Sequence, residues 1–169
     1  QIFSEGAGGA STFTYRNAAK AYAYGIEVEF RKKLSFITTL KNFTVQANAA
    51  YIHSRIQDSK YQIDRPLQGQ SPYTVNVSLL YDLPKHDFTA SVLFNQVGQR
   101  IYLVGDLTSG SASPDSWEAP RPILDLQLSK KVLKQKAEIK LNISDIINQT
   151  QYFYQNADGN KTSFQKNTD

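Results

Sequence analysis

The sequence predicts an all-β protein built as an antiparallel up-and-down meander. Six segments alternate strictly between apolar and polar residues, which is the pattern of a strand with two different faces. The segments cover residues 22–30, 43–52, 73–82, 88–95, 124–129 and 137–144. No stretch between them has the 3.6-residue period of a helix that could connect parallel strands, so neighbouring strands should be antiparallel.

The composition supports this class and excludes several functions. The 169 residues include ten tyrosines and nine phenylalanines but no cysteine, so thiol nucleophiles, disulfides and zinc–thiolate sites are excluded. Mean hydropathy is -0.45, and no segment approaches the roughly 18 consecutive apolar residues of a membrane-spanning helix. The net charge of +4 comes from basic residues in separate turns rather than in one run with aromatics, so no nucleic-acid partner is expected.

The connections between the six segments alternate strictly between short and long. The short ones cover residues 32–42, 83–87 and 131–136, and the long polar ones cover residues 53–72, 98–120 and about 148–169. A soluble β-sandwich has no strong reason to place all its long loops at one end. An outer-membrane barrel does, because its periplasmic turns are short and its extracellular loops are long.

The two faces of the strands agree with a transmembrane outer-membrane barrel. One face is apolar, with aromatic residues near the strand ends that we interpret as two girdles at the membrane interfaces. The other face should line a water-filled lumen, and its polar members are Glu27, Glu29, Gln46, Asn48, Asn76, Asn95, Asp125, Gln127 and Asn142. The alternative is a soluble or surface-attached β-sandwich, which would turn the apolar face inward and bind carbohydrate or protein through its long loops.

Six strands are too few to close a membrane barrel, because known barrels begin at about eight strands. We therefore expect the chain to be a partial segment of a larger barrel. The sixth strand should rise to the outer surface, and residues 148–169 should form a loop without a returning strand. At least one further C-terminal strand is expected beyond them.

Several segments, taken in their order, resemble the C-terminal barrel of TonB-dependent outer-membrane receptors. The resemblance extends from about Tyr15 to Tyr154, and its segments cover residues 21–32, 64–73, 95–101, 120–126 and 141–148. It implies a barrel of about 22 strands closed by an internal plug. It also implies uptake of a scarce nutrient, such as a ferric chelate carried by a siderophore, with energy delivered through TonB.

On this resemblance, residues 1–169 would be the C-terminal portion of the barrel, without the plug domain and the final strand. The implied partners are the TonB complex through the absent N-terminal plug, the lipid bilayer of the outer membrane and a small nutrient ligand. A surface lipoprotein is a further candidate partner. No cofactor is expected.

Ligand contacts should come from the predicted outer loops and from the lumen-facing polar residues. The candidates are Asp64, Arg65, Arg100, Asp106 and Trp117. The competing interpretation is that the charges are simply solvated and that Trp117, placed ahead of a strand, is an aromatic residue of the membrane interface. A calcium site is not expected, because the carboxylates lack the fixed spacing of a calcium loop.

No pattern predicts catalysis. Glu27 and Glu29 lie two apart on one strand face, which suits lumen-facing carboxylates better than an acid–base pair. His53 and His86 should lie at opposite ends of the sheet, so they cannot share a metal. No nucleophile motif surrounds any serine. We therefore expect a protein that is not an enzyme.

Overall fold

A computed structural model describes residues 2–5, 12–15, 19–61, 63–105, 114–157 and 160–165. The described chain is almost entirely β-structure, with three single-turn 3-10 helices at Thr38–Leu40, Ser59–Tyr61 and Pro84–His86. The strands are β1 (Ile2–Glu5), β2 (Thr12–Tyr15), β3 (Lys20–Lys33), β4 (Phe43–Asp58), β5 (Ile63–Arg65), β6 (Tyr73–Leu83), β7 (Phe88–Val97), β8 (Arg100–Leu103), β9 (Ser116–Glu118), β10 (Arg121–Val132), β11 (Ala137–Ile143), β12 (Tyr152–Ala157) and β13 (Asn160–Gln165). A search of these residues finds no helix long and apolar enough to cross a membrane.

The six predicted strands form one sheet, which we call the wall sheet. Its order is β3-β4-β6-β7-β10-β11, and every pair is antiparallel. β5 pairs with the end of β4 on the side of the long connections, which we call the outer end of the sheet. The all-β meander predicted from alternation is therefore confirmed. β1 and β2 form a separate hairpin.

The register separates the wall sheet into one apolar and one polar face. Residues directly opposite each other on antiparallel strands point to the same side. One row joins Glu29, Asn48, Asn76 and Asn95, while Val77 lies in a row with Phe30, Ala47, Phe94 and Leu124. The same reasoning places all nine residues of the predicted lumen face on the polar side. The alternation therefore identified the two faces correctly.

The short connections all lie at one end of the wall sheet, as predicted. They occupy residues 34–42, 84–87 and 133–136. Neighbouring turns are held together by backbone hydrogen bonds, in which Asp82 N donates to Asn42 O and Lys131 N donates to Asp87 O, each at 2.9 Å. We call this set of turns and the adjoining strand ends the short-turn end.

The long connections differ from the prediction, because they contain strands. β8, β9, β12 and β13 form a second sheet of order β8-β9-β12-β13, which we call the outer sheet. Only residues 98 and 99 separate β8 from β7, and only residues 119 and 120 separate β9 from β10. The outer sheet therefore continues β7, β10 and β11 beyond the wall sheet. β8 and β9 were missed because they are too short for alternation to be recognised, and the pairing of β9 with β12 joins segments distant in sequence.

The expectation that residues 148–169 contain no returning strand was wrong. β12 and β13 form an antiparallel hairpin whose register runs from Tyr152 opposite Gln165 to Ala157 opposite Asn160. β12 also pairs with β9. With β13 on one side and β9 on the other, the backbone N–H and C=O groups of β12 form hydrogen bonds within the sheet. In a solvated loop the same groups would bind water.

The wall sheet is a single layer with an uncovered apolar face. Ile26 is 67% exposed and Ile139 is 63% exposed, although both lie on that face. The buried apolar residues of the described chain, by contrast, lie around the outer sheet and the end of β4, and they are Ile56, Ile63, Ile101 and Phe153. Nothing among the described residues covers the apolar face, which is the arrangement expected of a barrel wall and not of a sandwich with that face turned inward.

Candidate functional site

The polar face of the wall sheet is a ladder of neighbouring polar side chains. Asn48 Nδ2 donates to Glu27 Oε1 at 2.5 Å, Asn95 Nδ2 donates to Asn76 Oδ1 at 2.5 Å, and Gln127 Nε2 donates to Asn142 Oδ1 at 2.9 Å. Six of the nine predicted lumen residues therefore pair with one another across adjacent strands. Such cross-strand pairs stabilise the sheet, and each amide keeps further donors or acceptors for water, a ligand or another part of the protein.

The polar face carries a surface hollow. A surface hollow of about 250 Å³ is lined mainly by polar-face side chains, including Glu29, Gln46, Asn48, Asn76, Ser78, Asn95 and Asp125. One of these carboxylates also binds the backbone: Asp125 Oδ1 accepts a hydrogen bond from Asp145 N at 2.8 Å.

Aromatic residues mark both ends of the apolar face. At the short-turn end the ring centres of Phe43 and Tyr81 lie 4.8 Å apart. Toward the outer end the ring centres of Tyr24 and His53 lie 5.1 Å apart. Phe94 departs from the predicted girdles, since it lies opposite Val77 in the middle of β6. The apolar face is thus a belt with aromatic residues near its two borders.

The structure disperses four of the five predicted ligand contacts. Asp64 binds Arg55 through two hydrogen bonds of 2.5 Å, while Arg65 is partly buried in an ion pair with Asp115. Arg100 forms an ion pair of 2.8 Å with Glu118. Asp106 lies outside the described residues. Trp117 is not ahead of a strand but inside β9, opposite Ile101 on one side and Tyr154 on the other.

The ion pairs of Arg65 and Arg100 thus tie together segments of the outer end, and they do not converge on one site. Asp115 also accepts a hydrogen bond of 2.8 Å from Gly105 N, so it links β5 to the chain after β8. Burial lowers the pKa of Arg65, and the charge and hydrogen bond of Asp115 work against that effect. For these two arginines the structure supports a structural role.

One of the five candidates does line a cavity. A hollow of about 220 Å³ lies between the outer end of β4 and the outer sheet, lined by Tyr51, Ile52, His53, Ser54, Pro66, Gln70, Pro72, Gln99 and Trp117. We call it the junction hollow. Among the described residues, its lining has aromatic rings, prolines and neutral amides but no Lys, Arg, Asp or Glu side chain, which suits an uncharged ligand held by ring contacts and a few hydrogen bonds.

Sequence reasoning missed the other members of the junction hollow. Gln70 and Gln99 lie 29 positions apart and were assigned to separate loops. Backbone pairing brings their segments together, because Gly69 N donates to Ile101 O at 2.9 Å and Gly98 N donates to Tyr73 O at 2.9 Å. The Gly69-Gln70-Ser71-Pro72 run was the only local signal, since it marks the start of a strand.

The two histidines lie apart, as predicted. His53 is on β4 beside Tyr24, and His86 is in the turn between β6 and β7 at the short-turn end. The described ranges contain no group of three or more His, Asp or Glu residues placed to hold a metal ion.

Removing Asp115 should loosen the outer end. Asp115→Ala takes the carboxylate from a partly buried guanidinium and from Gly105 N, so we expect a loss of about 2 kcal/mol of unfolding free energy. Asp64→Ala is the matched control, because it breaks an exposed pair and should leave the stability almost unchanged. Urea unfolding in bilayers would compare the two, and an equal loss would show that the Arg65–Asp115 pair has no special structural role.

Acidification should loosen the outer sheet through Glu118. Burial raises the pKa of Glu118, but hydrogen bonds from Arg100 and Gln151 and the charges of Arg100 and Arg121 outweigh burial and hold the pKa below its usual 4.5. A lowered folded-state pKa stabilises the fold above about pH 4.5, and this contribution is lost as the pH falls through the folded-state value.

We therefore expect hydrogen-exchange protection factors in β8, β9 and β12 to fall as the pH drops below the usual pKa of a glutamate, while those of the wall sheet change less. Glu118→Gln is the control, because it should reduce protection at neutral pH and remove the further loss in acid. Constant protection in the unsubstituted protein across this range would contradict the assignment.

A single-layer antiparallel sheet with an apolar belt on one face, a polar face opposite it and all short turns at one end has the features expected of the wall of a membrane-spanning β-barrel. The class is thus a transmembrane barrel protein. The comparison with family models agrees: the chain belongs to the outer membrane protein beta-barrel family, whose model matches residues 1–169. Its location is the cell outer membrane. Neither the curated proteins nor the solved structures include a significant match.

Proposed function

We propose that the chain forms part of the barrel of a TonB-dependent receptor that takes up a scarce nutrient, such as a ferric chelate. The observation that carries the proposal is an open wall: among the described residues, β3 and β11 each pair on one side only. An unpaired edge in lipid leaves backbone groups without partners, so further strands must complete the barrel. A barrel of about 22 strands closed by a plug satisfies this requirement, and residues 1–169 would be its C-terminal portion.

The height of the wall supports a receptor. A strand needs about 9–11 residues to cross the bilayer, whereas β3 has 14 residues and β4 has 16. β7 and β10 are further continued by β8 and β9. The wall would therefore extend past the membrane surface on the long-loop side. A nutrient arriving from outside would first meet the protein there.

The proposed partners follow from this role. A plug and the TonB complex would supply energy, the bilayer would cover the apolar belt, and the nutrient would enter along the polar face, with a surface lipoprotein as a candidate cap. The junction hollow, with Trp117, is the strongest candidate contact for the nutrient. We propose transport and not catalysis, and we expect no cofactor. Glu27 accepts a hydrogen bond from Asn48, and the carboxylates of the polar face would line the water-filled lumen of the barrel.

Energised uptake tests the proposal. Cells with and without the gene would be given a panel of radiolabelled ferric chelates, before and after a protonophore collapses the proton-motive force. We expect uptake of one chelate to require the gene, TonB and the proton-motive force. Uptake that requires the gene but persists without TonB would instead indicate a passive barrel. If no chelate depends on the gene, iron is not the nutrient.

A further inference from the structure

The positive charge of the chain is concentrated at the short-turn end. Residues 31–42, 82–87 and 130–138 hold nine lysines and arginines and only three carboxylates, a net of +6, although the whole chain has a net charge of only +4. The rest of the chain is therefore net negative. A charge separation of this size along the axis of the wall creates a surface that attracts anions at one end only.

The three basic segments form one continuous surface. The hydrogen bonds between Asp82 and Asn42 and between Lys131 and Asp87 hold neighbouring turns side by side. Gln135 Nε2 also donates to Asp87 Oδ1 at 3.0 Å, and Lys130 Nζ donates to His86 O at 2.8 Å. We call the basic residues of this surface the basic rim, and they are Arg31, Lys32, Lys33, Lys41, Lys85, Lys130, Lys131, Lys134 and Lys136.

The basic rim directly borders the apolar belt. Lys32 lies on the same face as Phe30 and opposite Val45, and Lys130 lies on the same face as Leu128 and opposite Phe88. The belt meets acyl chains, so the next residues along each strand reach the level of the lipid headgroups. Lysines at this level extend their charged ends toward the headgroups while their methylene stems stay near the apolar region.

Large apolar side chains project from the same turns. Phe36 is 70% exposed and Leu133 is 73% exposed, and Lys32 Nζ lies 6.0 Å from the centre of the Phe36 ring. The backbone of Leu133 has a φ of 52°, in the left-handed region that Gly or Asn more often occupies in turns. Exposed apolar side chains flanked by lysines are the composition of a segment that lies in a membrane interface.

We propose that the basic rim binds the headgroups of anionic phospholipids, such as phosphatidylglycerol, in the leaflet at the short-turn end. The lysines attract the phosphates, and Phe36 and Leu133 enter the boundary between headgroups and acyl chains. An acidic protein in the aqueous phase would account for the charge but not for the exposed apolar tips beside the belt. The proposal rests on the barrel class and not on TonB-dependent transport.

Lipid-selective quenching tests the proposal in the complete protein reconstituted in bilayers. The chain has no cysteine, so Ser35→Cys places a fluorophore beside Phe36 without changing the rim. Phosphatidylglycerol or phosphatidylethanolamine, each with a nitroxide near the headgroup, would be added at equal mole fraction. We expect phosphatidylglycerol to quench at least about threefold more strongly, because each basic residue near an anionic surface adds to the attraction.

Two variants make the measurement specific. Replacing Lys32 and Lys41 together with Gln should bring the quenching ratio close to one. The matched control replaces Lys20 and Lys60 with Gln, because Lys20 begins β3 and Lys60 lies in the turn that follows β4, both far from the short-turn end, and it should leave the ratio unchanged. High salt should lower the ratio in the unsubstituted protein only, since screening weakens charge attraction.

Two outcomes would overturn the proposal. The first is equal quenching by both lipids, or a ratio that the rim substitutions do not change. The second is no quenching at Ser35 by either lipid while a label at Val77→Cys is quenched by a nitroxide deep in the acyl chains. That result would place the belt in the bilayer and the rim in water, where a water-borne acidic partner would be the occupant.

Discussion

Val77→Arg is expected to lower the free energy of unfolding in bilayers by about 2–4 kcal/mol, the cost of a charge on the lipid face near the middle of a barrel strand. Val77 lies on the apolar belt, where it pairs with Ala47 on β4 and Phe94 on β7. A guanidinium there would lose its hydration without gaining a partner on that face. Urea unfolding followed by the gel mobility of the folded barrel would measure the loss.

Ser78→Arg is the matched control for this experiment. Ser78 is the next residue of β6, faces the opposite side and lines the hollow of the polar face. Its arginine would remain in water beside the carboxylates of Glu29 and Asp125, so we expect a change within about 1 kcal/mol. If both substitutions were equally costly, or if Val77→Arg were tolerated, the apolar face would not face lipid.

Gly25→Ala is expected to weaken the pairing of β3 with β4 by about 3 kcal/mol, the upper part of the range for overpacking. A Cβ at Gly25 would lie 2.4 Å from Tyr51 O and 3.2 Å from Ile52 Cα. Both atoms belong to the backbone of β4, so no side-chain rotation can relieve the clash and the strands themselves must move apart. Folded-barrel yield and urea unfolding would record the loss.

Ala23→Val is the control for the glycine. Ala23 lies two residues earlier on the same face of β3, is exposed, and pairs with Ser54. It should accept two additional methyl groups with little change, because valine suits a strand. If the Gly25→Ala protein were as stable as the control, β3 and β4 could move apart at this point without a loss of free energy, and the prediction would be wrong.

The polar face and the junction hollow have different origins in the sequence. Alternation along β3, β4, β6, β7, β10 and β11 was sufficient to place all nine polar residues on one face, because the period of two is a property of each strand alone. The junction hollow depends on three segments that meet only after folding. Of its residues, the sequence indicated only Trp117, and that residue was assigned to the end of a loop instead of to β9.

The charged candidates have partners that the sequence does not reveal, for a similar reason. Arg65 and Arg100 stand out in polar segments, where an unpaired charge suggests a ligand contact. Their carboxylate partners, Asp115 and Glu118, lie 50 and 18 positions further along the chain. Pairing over such separations has no local signature, so only the folded chain could show that these charges hold the outer end together.

The sequence by itself determined the class of the protein, the order and faces of the six wall strands, and the end at which the short turns lie. Each of these follows from local physics: side chains alternate along a strand, and a short connection forces its two strands to pair. Only the tertiary structure decided that the long connections continue the wall as an outer sheet, that β12 and β13 form a hairpin, and which charges are paired. Those features depend on backbone hydrogen bonds and ion pairs between segments far apart in the chain, whose partners are selected when the whole sheet assembles.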